Sequence, residues 1–296
     1  MSKWSEFSDA GTFNGSEKLP VLKDGQNVMV DISKLSGDIS SLKEDFTYSG
    51  EFYYDTARYS RYFTYSEDIG GVEEAAEVTL DGYEQSCLEI KHSIIESPET
   101  GYKRSLLRGH LLRLPRTTND YHYYETRFRI LKNSDNPECT LYIGFNPLSA
   151  VDNIDGTDVN RAIFKIIIPS IASGSDVLSS NITTIVNVRD YDGVVWSDIV
   201  DQQIDTPETL FVEVSPLVDS LFTKLGIKLY RTKIEFYIND VLTYSFDNDG
   251  APLLTNESMS IYRPMFGISS YAGDYTGGGG LTFYIDYISV KSFISK

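Results

Sequence analysis

From about residue 51 to the end of the chain, runs rich in Tyr, Phe, Ile, Val and Thr recur and are broken by clusters of Gly, Pro, Asn and Asp. Such side chains suit a pleated, half-buried surface, and a spacing of about a dozen residues is that of a β-sandwich. The sharpest instance is Lys233-Ile234-Glu235-Phe236-Tyr237-Ile238-Asn239-Asp240-Val241-Leu242-Thr243-Tyr244-Ser245-Phe246. Two alternating stretches meet there at Asn239-Asp240, residues that tolerate the positive φ of a two-residue turn, so the segment predicts a β-hairpin. Further strands are predicted at 85–92, 105–114, 121–131, 140–145, 162–168, 183–188, 209–214, 226–230, 259–268 and 281–290. No long helical pattern interrupts them, and no fixed-period repeat points to a solenoid or propeller. Residues 51–296 are therefore expected to form an all-β sandwich of two stacked sheets.

Residues 1–50 differ in style. After a polar opening, Leu19-Pro20-Val21-Leu22 and Val28-Met29-Val30 flank a stretch with Asp24-Gly25, a strong turn signal, and predict a short hairpin. Beyond it, Leu35, Ile39, Leu42 and Phe46 have the spacing of a helical a/d seam, with Ser33, Ser36 and Asp38 available as caps. Fewer than two heptads cannot hold chains together unaided. A lone helix laid on a neighbouring domain and a helix packed on its copies about a threefold axis both remain open.

Charge and rare residues narrow the chemistry. A formal charge of −17 repels phosphate backbones and anionic lipid heads, so neither nucleic acid nor membrane insertion is expected. Met1 to Gly15 lacks an apolar core of signal-peptide length, and no run approaches the roughly 18 apolar residues of a membrane span. Cys87 and Cys139 each lie in an apolar stretch and read as two buried thiols. With only 3 histidines, His92, His110 and His122, a zinc site or a histidine relay has little material.

The 233–246 hairpin, Phe266-Gly267-Ile268-Ser269 and the closing run Phe283-Tyr284-Ile285-Asp286-Tyr287-Ile288-Ser289-Val290 together resemble the last strands of the concanavalin-like lectin/glucanase superfamily, in particular its laminarinase-like glycoside hydrolases. The resemblance implies a jelly roll whose last strand returns beside the first. Tyr123 to Arg129 is similar to an early strand of that family, with Thr140 to Phe145 as its partner. Retaining members carry Glu-x-Asp-x-x-Glu on one strand, because nucleophile and acid must face the same sugar. The corresponding run, Ala162 to Ile168, has no acid, and Glu73, Glu74 and Glu77 read as a solvated charge run, so no catalytic residues are assigned and the chain is expected to be non-enzymatic. A second resemblance, over Gly15-Ser16-Glu17-Lys18-Leu19-Pro20-Val21, Asp24-Gly25 and Val30-Asp31-Ile32-Ser33-Lys34-Leu35, is to a short module near the start of phage tail-fibre and other virion proteins. It implies a virion protein, a head or tail fibre component made in the host cytoplasm. Residues 1–50 would attach or trimerise it, through Leu35, Ile39, Leu42 and Phe46, and residues 51–296 would display a lectin-like domain toward host glycan or another virion protein. The alternative is a polysaccharide-degrading glycoside hydrolase on the same fold.

Three kinds of site are candidates. Sugar sites combine aromatic faces with planar polar groups, which singles out Tyr191 and Trp196, and Tyr271, Asp274 and Tyr275, each equally readable as a plain Tyr-rich loop. Asp152, Asp155 and Asp158 in Asp152-Asn153-Ile154-Asp155-Gly156-Thr157-Asp158 offer oxygens to a calcium ion, although the spacing is not that of an EF-hand. No other cofactor is indicated. The basic stretch Lys103, Arg104, Arg108, His110, Arg113 and Arg116 reads either as a grip on an acidic glycan or as the charged outer side of an ordinary strand.

Overall fold

The computed structural model describes residues 18–23, 26–31, 41–45, 63–68, 75–79, 86–94, 102–109, 112–115, 117–132, 138–146, 154, 160–170, 182–191, 194–207, 210–212, 222–254, 261–271 and 279–293. The chain divides into two compact units, Met1–Leu42 and Lys43–Lys296. In the first, β1 (Lys18–Lys23) and β2 (Gln26–Asp31) pair antiparallel with Lys23 opposite Gln26, the hairpin predicted around Asp24-Gly25. The expected helix is corrected at Leu42, since Ser41–Asp45 is a strand, β3. So short a helical pattern does not repay the cost of nucleation. Leu35, Ile39 and Phe46 lie outside the described residues.

The second unit is a sandwich of two sheets. Its strands are β4 (Phe63–Asp68), β5 (Ala75–Thr79), β6 (Ser86–Ile94), β7 (Tyr102–Gly109), β8 (Leu112–Arg113), β9 (Tyr121–Lys132), β10 (Cys139–Asn146) and β11 (Arg161–Ile168). They continue as β12 (Thr183–Tyr191), β13 (Trp196–Ile204), β14 (Phe211–Val212), β15 (Thr223–Tyr230), β16 (Lys233–Ile238), β17 (Val241–Asp247), β18 (Ile261–Tyr271) and β19 (Gly279–Phe293). The front sheet runs β13-β12-β11-β10-β18-β7-β4, with β8 also on β18. The back sheet runs β17-β16-β15-β9-β19-β6-β5, with β14 on β9. The closing strand β19 returns between β6 and β9, as a jelly roll requires. The expected pairing of Tyr123–Arg129 with Thr140–Phe145 is corrected, because β9 lies in the back sheet and β10 in the front. They meet face to face instead, Tyr124 against Phe145 with ring centroids 5.8 Å apart. Both strands alternate, and alternation alone does not say which sheet a strand joins.

Inward side chains of the two sheets interlock. Phe164 of β11 meets Phe236 of β16 edge-on at 5.0 Å, and Phe128 of β9 meets Phe266 of β18 at 5.1 Å. Such pairs add about 0.5–1.5 kcal/mol beyond area burial. The predicted hairpin turns at Asn239 and Asp240, whose φ values are 49° and 67°. The Asn239 side chain fixes that turn by accepting the Lys224 backbone N–H at 2.9 Å. At Gly144 (φ 144°) a Cβ would lie 2.5 Å from the Ala162 carbonyl oxygen and 2.6 Å from Ile227 Cδ1, so the close approach requires glycine. Cys87 and Cys139 are free and buried, and burial pushes each thiol up to about 12. His92 crosses the core from β6, its Nδ1 3.1 Å from Ser105 Oγ and its Nε2 3.0 Å from Ser270 Oγ. Burial, and then the nearby Lys103 charge, lowers it to about 3, so it is neutral at ordinary pH.

Candidate functional site on the outer face of the front sheet

Because Phe164 points into the core, Arg161, Ile163, Lys165 and Ile167 on the same strand face outward. Residues directly opposite share a face, so Arg189 and Asn187 of β12 also point out, opposite Arg161 and Ile163. On β13 the register shifts. Val200 lies opposite Val188, but Asp198 lies opposite Arg189, leaving Ile199 as an extra residue, a β-bulge. Residues three apart on a regular strand face opposite ways; here the bulge turns both Asp198 and Asp201 outward.

These residues join in one network. Asn187 is buried, and its Nδ2 donates to Asp198 Oδ1 at 3.0 Å, to Asp201 Oδ1 at 3.1 Å and to the Val200 carbonyl at 3.3 Å. Its Oδ1 accepts from Arg161 Nε at 2.7 Å. Arg189 Nη1 donates to Asp198 Oδ2 at 2.9 Å. Burial depresses the pKa of Arg161, and the Asp198 carboxylate is the first charge opposing that shift. Both aspartates are exposed at the edge of the sheet. Held by one nitrogen, their accepting oxygens lie no more than about 6 Å apart, a bound that admits the about 5–5.5 Å between the carboxyl groups of a retaining glycosidase.

The middle of the same face is apolar. Leu106, Tyr142, Ile163 and Met265 form a cluster closed by Ile154, which is fully buried. Gly267 leaves room for it, since a Cβ there would stand 3.4 Å from Ile154 Cδ1. The apolar residue of the predicted calcium segment is thus a packing residue. Asp152, Asp155 and Asp158 lie outside the described residues, and among the described residues no group of three His, Cys, Asp or Glu could hold a metal.

The other sequence candidates scatter. Tyr191 and Trp196 stand opposite each other where β12 joins β13, on the strands that carry Asn187 and Asp198. Tyr271 ends β18, opposite Tyr102, away from them, and Asp274 and Tyr275 lie outside the described residues. Of the basic stretch, Lys103 is buried, Arg104 and Arg108 are half-buried on the outer face, and Arg113 lies in β8. His110 and Arg116 lie outside the described residues.

A second acidic group, on the outer face of the back sheet, is saturated. Glu125 accepts the hydroxyls of Tyr123 at 2.7 Å and Tyr287 at 2.6 Å and pairs with Lys224 at 3.2 Å. Glu235 accepts the Tyr237 hydroxyl at 2.6 Å and pairs with Lys233 and Lys228. Burial and these carboxylates push all three tyrosines up, Tyr237 to about 12. Little acceptor capacity is left for a substrate, so this cluster is structural.

No protein-family model matches the chain, and no curated relative does. Its fold is similar to solved structures of low identity. One comes from work on endo-acting O-glycanases that human gut bacteria express to initiate mucin breakdown (13% identity, 85% of this chain and 98% of that one, TM-score 0.49). Another is a family 16 endo-glucanase from Bacteroides ovatus (12%, 85% and 99%, TM-score 0.44). A third is a family 7 alginate lyase (12%, 80% and 85%, TM-score 0.42). A legume lectin-like domain from Entamoeba histolytica is also similar (12%, 80% and 91%, TM-score 0.37). The jelly-roll sandwich expected from the sequence is the fold, as the order of strands in its two sheets and the return of β19 between β6 and β9 show, while the virion-appendage reading finds no counterpart among these structures. The expectation of a non-enzymatic chain is corrected: an alginate lyase, an endo-glucanase and a transglycosylase stand among the neighbours. β11 carries no acid, as the sequence reading had it, but Asp198 and Asp201 of β13 put acids on the same face. Asp198 and Asp201 escaped the sequence reading because β13 was not predicted as a strand and their spacing is not period two.

Proposed function

We propose that the chain is a polysaccharide-degrading hydrolase that cleaves at the outer edge of the front sheet. The observation that carries this reading is the bulge that turns Asp198 and Asp201 to one side and fixes both on Asn187. Asp198, oriented by Arg189, is the nucleophile; Asp201, which forms no ion pair among the described residues, is the acid and base. In the first step a carboxylate oxygen of Asp198 bonds to the anomeric carbon, the glycosidic C–O bond breaks, and Asp201 gives its proton to the leaving oxygen. Water then displaces Asp198 while Asp201 takes back a proton, and the product keeps its anomeric configuration. Reducing-end release from a panel of polysaccharides tests the reading. Asp198→Asn and Asp201→Asn are each expected to lose about 10²- to 10⁴-fold in rate with unchanged melting temperature. Full activity in either variant overturns it.

Display of this domain on a virion, with residues 1–50 as a trimeric attachment segment meeting other virion proteins, belongs to the same proposal. Its support is the β1–β2 hairpin, which forms where the chain resembles the virion module. Native mass by light scattering, for the full chain and for one lacking residues 1–50, separates a trimer that falls to monomers from a chain that is monomeric throughout and needs no such segment.

A further inference from the structure

Beyond the aspartates, the outer face of the front sheet carries cations that have no carboxylate partner among the described residues: Arg108 on β7, Arg263 on β18 and Lys165 on β11. Arg104, by contrast, is the register partner of Asp68 in the pairing of β4 with β7. Arg108 lies opposite Met265, so Arg263, two residues away on the same strand, is its diagonal neighbour. The residues opposite the two arginines are neutral, Thr64 for Arg108 and Asn146 for Arg263. Arg263 gives one Nη1 hydrogen bond to the Gly109 carbonyl at 3.2 Å, while its buried Nε has no partner among the described residues. Burial and then the Arg108 charge both depress its pKa. Like charges on neighbouring strands are unfavourable, and this chain has 43 acidic residues with which to neutralise them. Two half-buried guanidiniums left side by side are a receptor for an anion, and their planar forks suit carboxylate or sulfate.

The placement says what kind of anion. From β18 to β13 the face spans four strand intervals, roughly 19 Å at the usual strand spacing. Arg263 and Arg108 therefore lie several sugar units from Asp198 and Asp201, beyond the patch capped by Ile154, with Lys165 between. A small anion cannot touch both ends, but a chain with regularly placed acidic groups can. With an overall charge of −17, the protein gains local attraction for such a chain only where cations are left unpaired.

We infer that the substrate is an anionic polysaccharide whose carboxylate or sulfate groups are held by Arg108 and Arg263, an inference that rests on the hydrolytic reading of Asp198 and Asp201. The test measures binding of the full-length Asp201→Asn protein to polygalacturonate, to chondroitin sulfate and to neutral laminarin. The expected result is binding to one of the polyanions that weakens at least tenfold between 50 and 200 mM salt, with laminarin not bound; which polyanion binds tells carboxylate from sulfate. Adding Arg108→Gln with Arg263→Gln is expected to weaken it a further tenfold or more. Arg108→Lys with Arg263→Lys, which keeps the charge and the fold but loses the forks, is expected to fall between. No affinity for either polyanion, or polyanion affinity that these arginine variants leave unchanged, overturns the inference. Wild-type cleavage of laminarin alone refutes this inference and leaves the hydrolase standing; arginine-dependent binding of a polyanion that the wild type never cleaves refutes the hydrolase instead.

Discussion

Acidification should unfold the sandwich partly through one residue, His92. Its ring is sealed between the sheets against Ser105 and Ser270, and burial with the Lys103 charge holds it near pKa 3, against about 6.5 in an unfolded chain. The folded-state value is depressed for a group that is charged when protonated. Between the two values, then, the unfolded chain takes up a proton that the folded one refuses. The stability tied to neutral His92 is fully present above about pH 6.5 and is lost as pH falls toward 3. The limiting slope for one proton is about 1.4 kcal/mol per pH unit, and between pH 7 and pH 5 the integrated loss is about 2 kcal/mol. Urea unfolding at pH 7, 6 and 5 measures it, with His92→Gln as reference because glutamine offers both serines a donor and an acceptor without titrating. The variant will be less stable throughout, so the readout is the difference in pH dependence. Carboxylates, His110 and His122 are common to both proteins and cancel. Wild type and variant losing the same stability from pH 7 to pH 5 would refute the reasoning.

Gly144→Ala should cost about 3 kcal/mol in urea unfolding, since the added methyl meets the Ala162 carbonyl and Ile227 with no room to yield. Asn239→Val should cost about 1–2 kcal/mol, because a β-branched residue tolerates the φ of 49° poorly and the bond to the Lys224 N–H is lost; Asn239→Gly, which loses the same bond but accepts the φ, should cost less than Asn239→Val. Cys87 and Cys139, both buried with thiols pushed up to about 12, should resist a disulfide reagent at pH 8 and label fully in urea, as mass spectrometry will show.

The fold was legible where a local pattern repeats a physical constraint. The 233–246 hairpin could be read because alternation and turn chemistry agree at Asn239-Asp240, and the two thiols because each sits within an apolar run. Sheet membership of β9 and β10 was not legible, since any two alternating strands satisfy the pattern whether they pair or stack. The short helix was overread at Leu42, because an a/d spacing over so few residues carries no packing energy of its own. The candidate site was hidden for a different reason. A strand's period puts paired acids two residues apart, but Asp198-Ile199-Val200-Asp201 breaks that period, and Trp196-Ser197-Asp198, with Ser197 and Asp198 exposed, does not read as the start of a strand. Asn187, which joins the acids, gives no signal by itself; only the pairing of β12 with β13 puts it between them.

The same bulge makes the site testable against the pattern that concealed it. Strict alternation from Asp201 puts position 199, not 198, on the outer face, so a regular strand would be improved as a catalyst by moving the acid to 199. In the bulged strand the opposite holds. Asp198 is the residue opposite Arg189, its carboxylate meets both Arg189 and Asn187, and Ile199 is the unpaired extra residue. The exchange Asp198→Ile with Ile199→Asp conserves composition and charge at an exposed edge, so stability should change by no more than about 1 kcal/mol. Yet it removes the carboxylate from the only place where one amide can hold it beside Asp201. Activity on a cleaved polysaccharide should fall by about 10²- to 10⁴-fold, as in Asp198→Asn. An exchanged enzyme as active as the wild type would mean that β13 alternates regularly in solution, and the assignment of Asp198 would fall with the bulge.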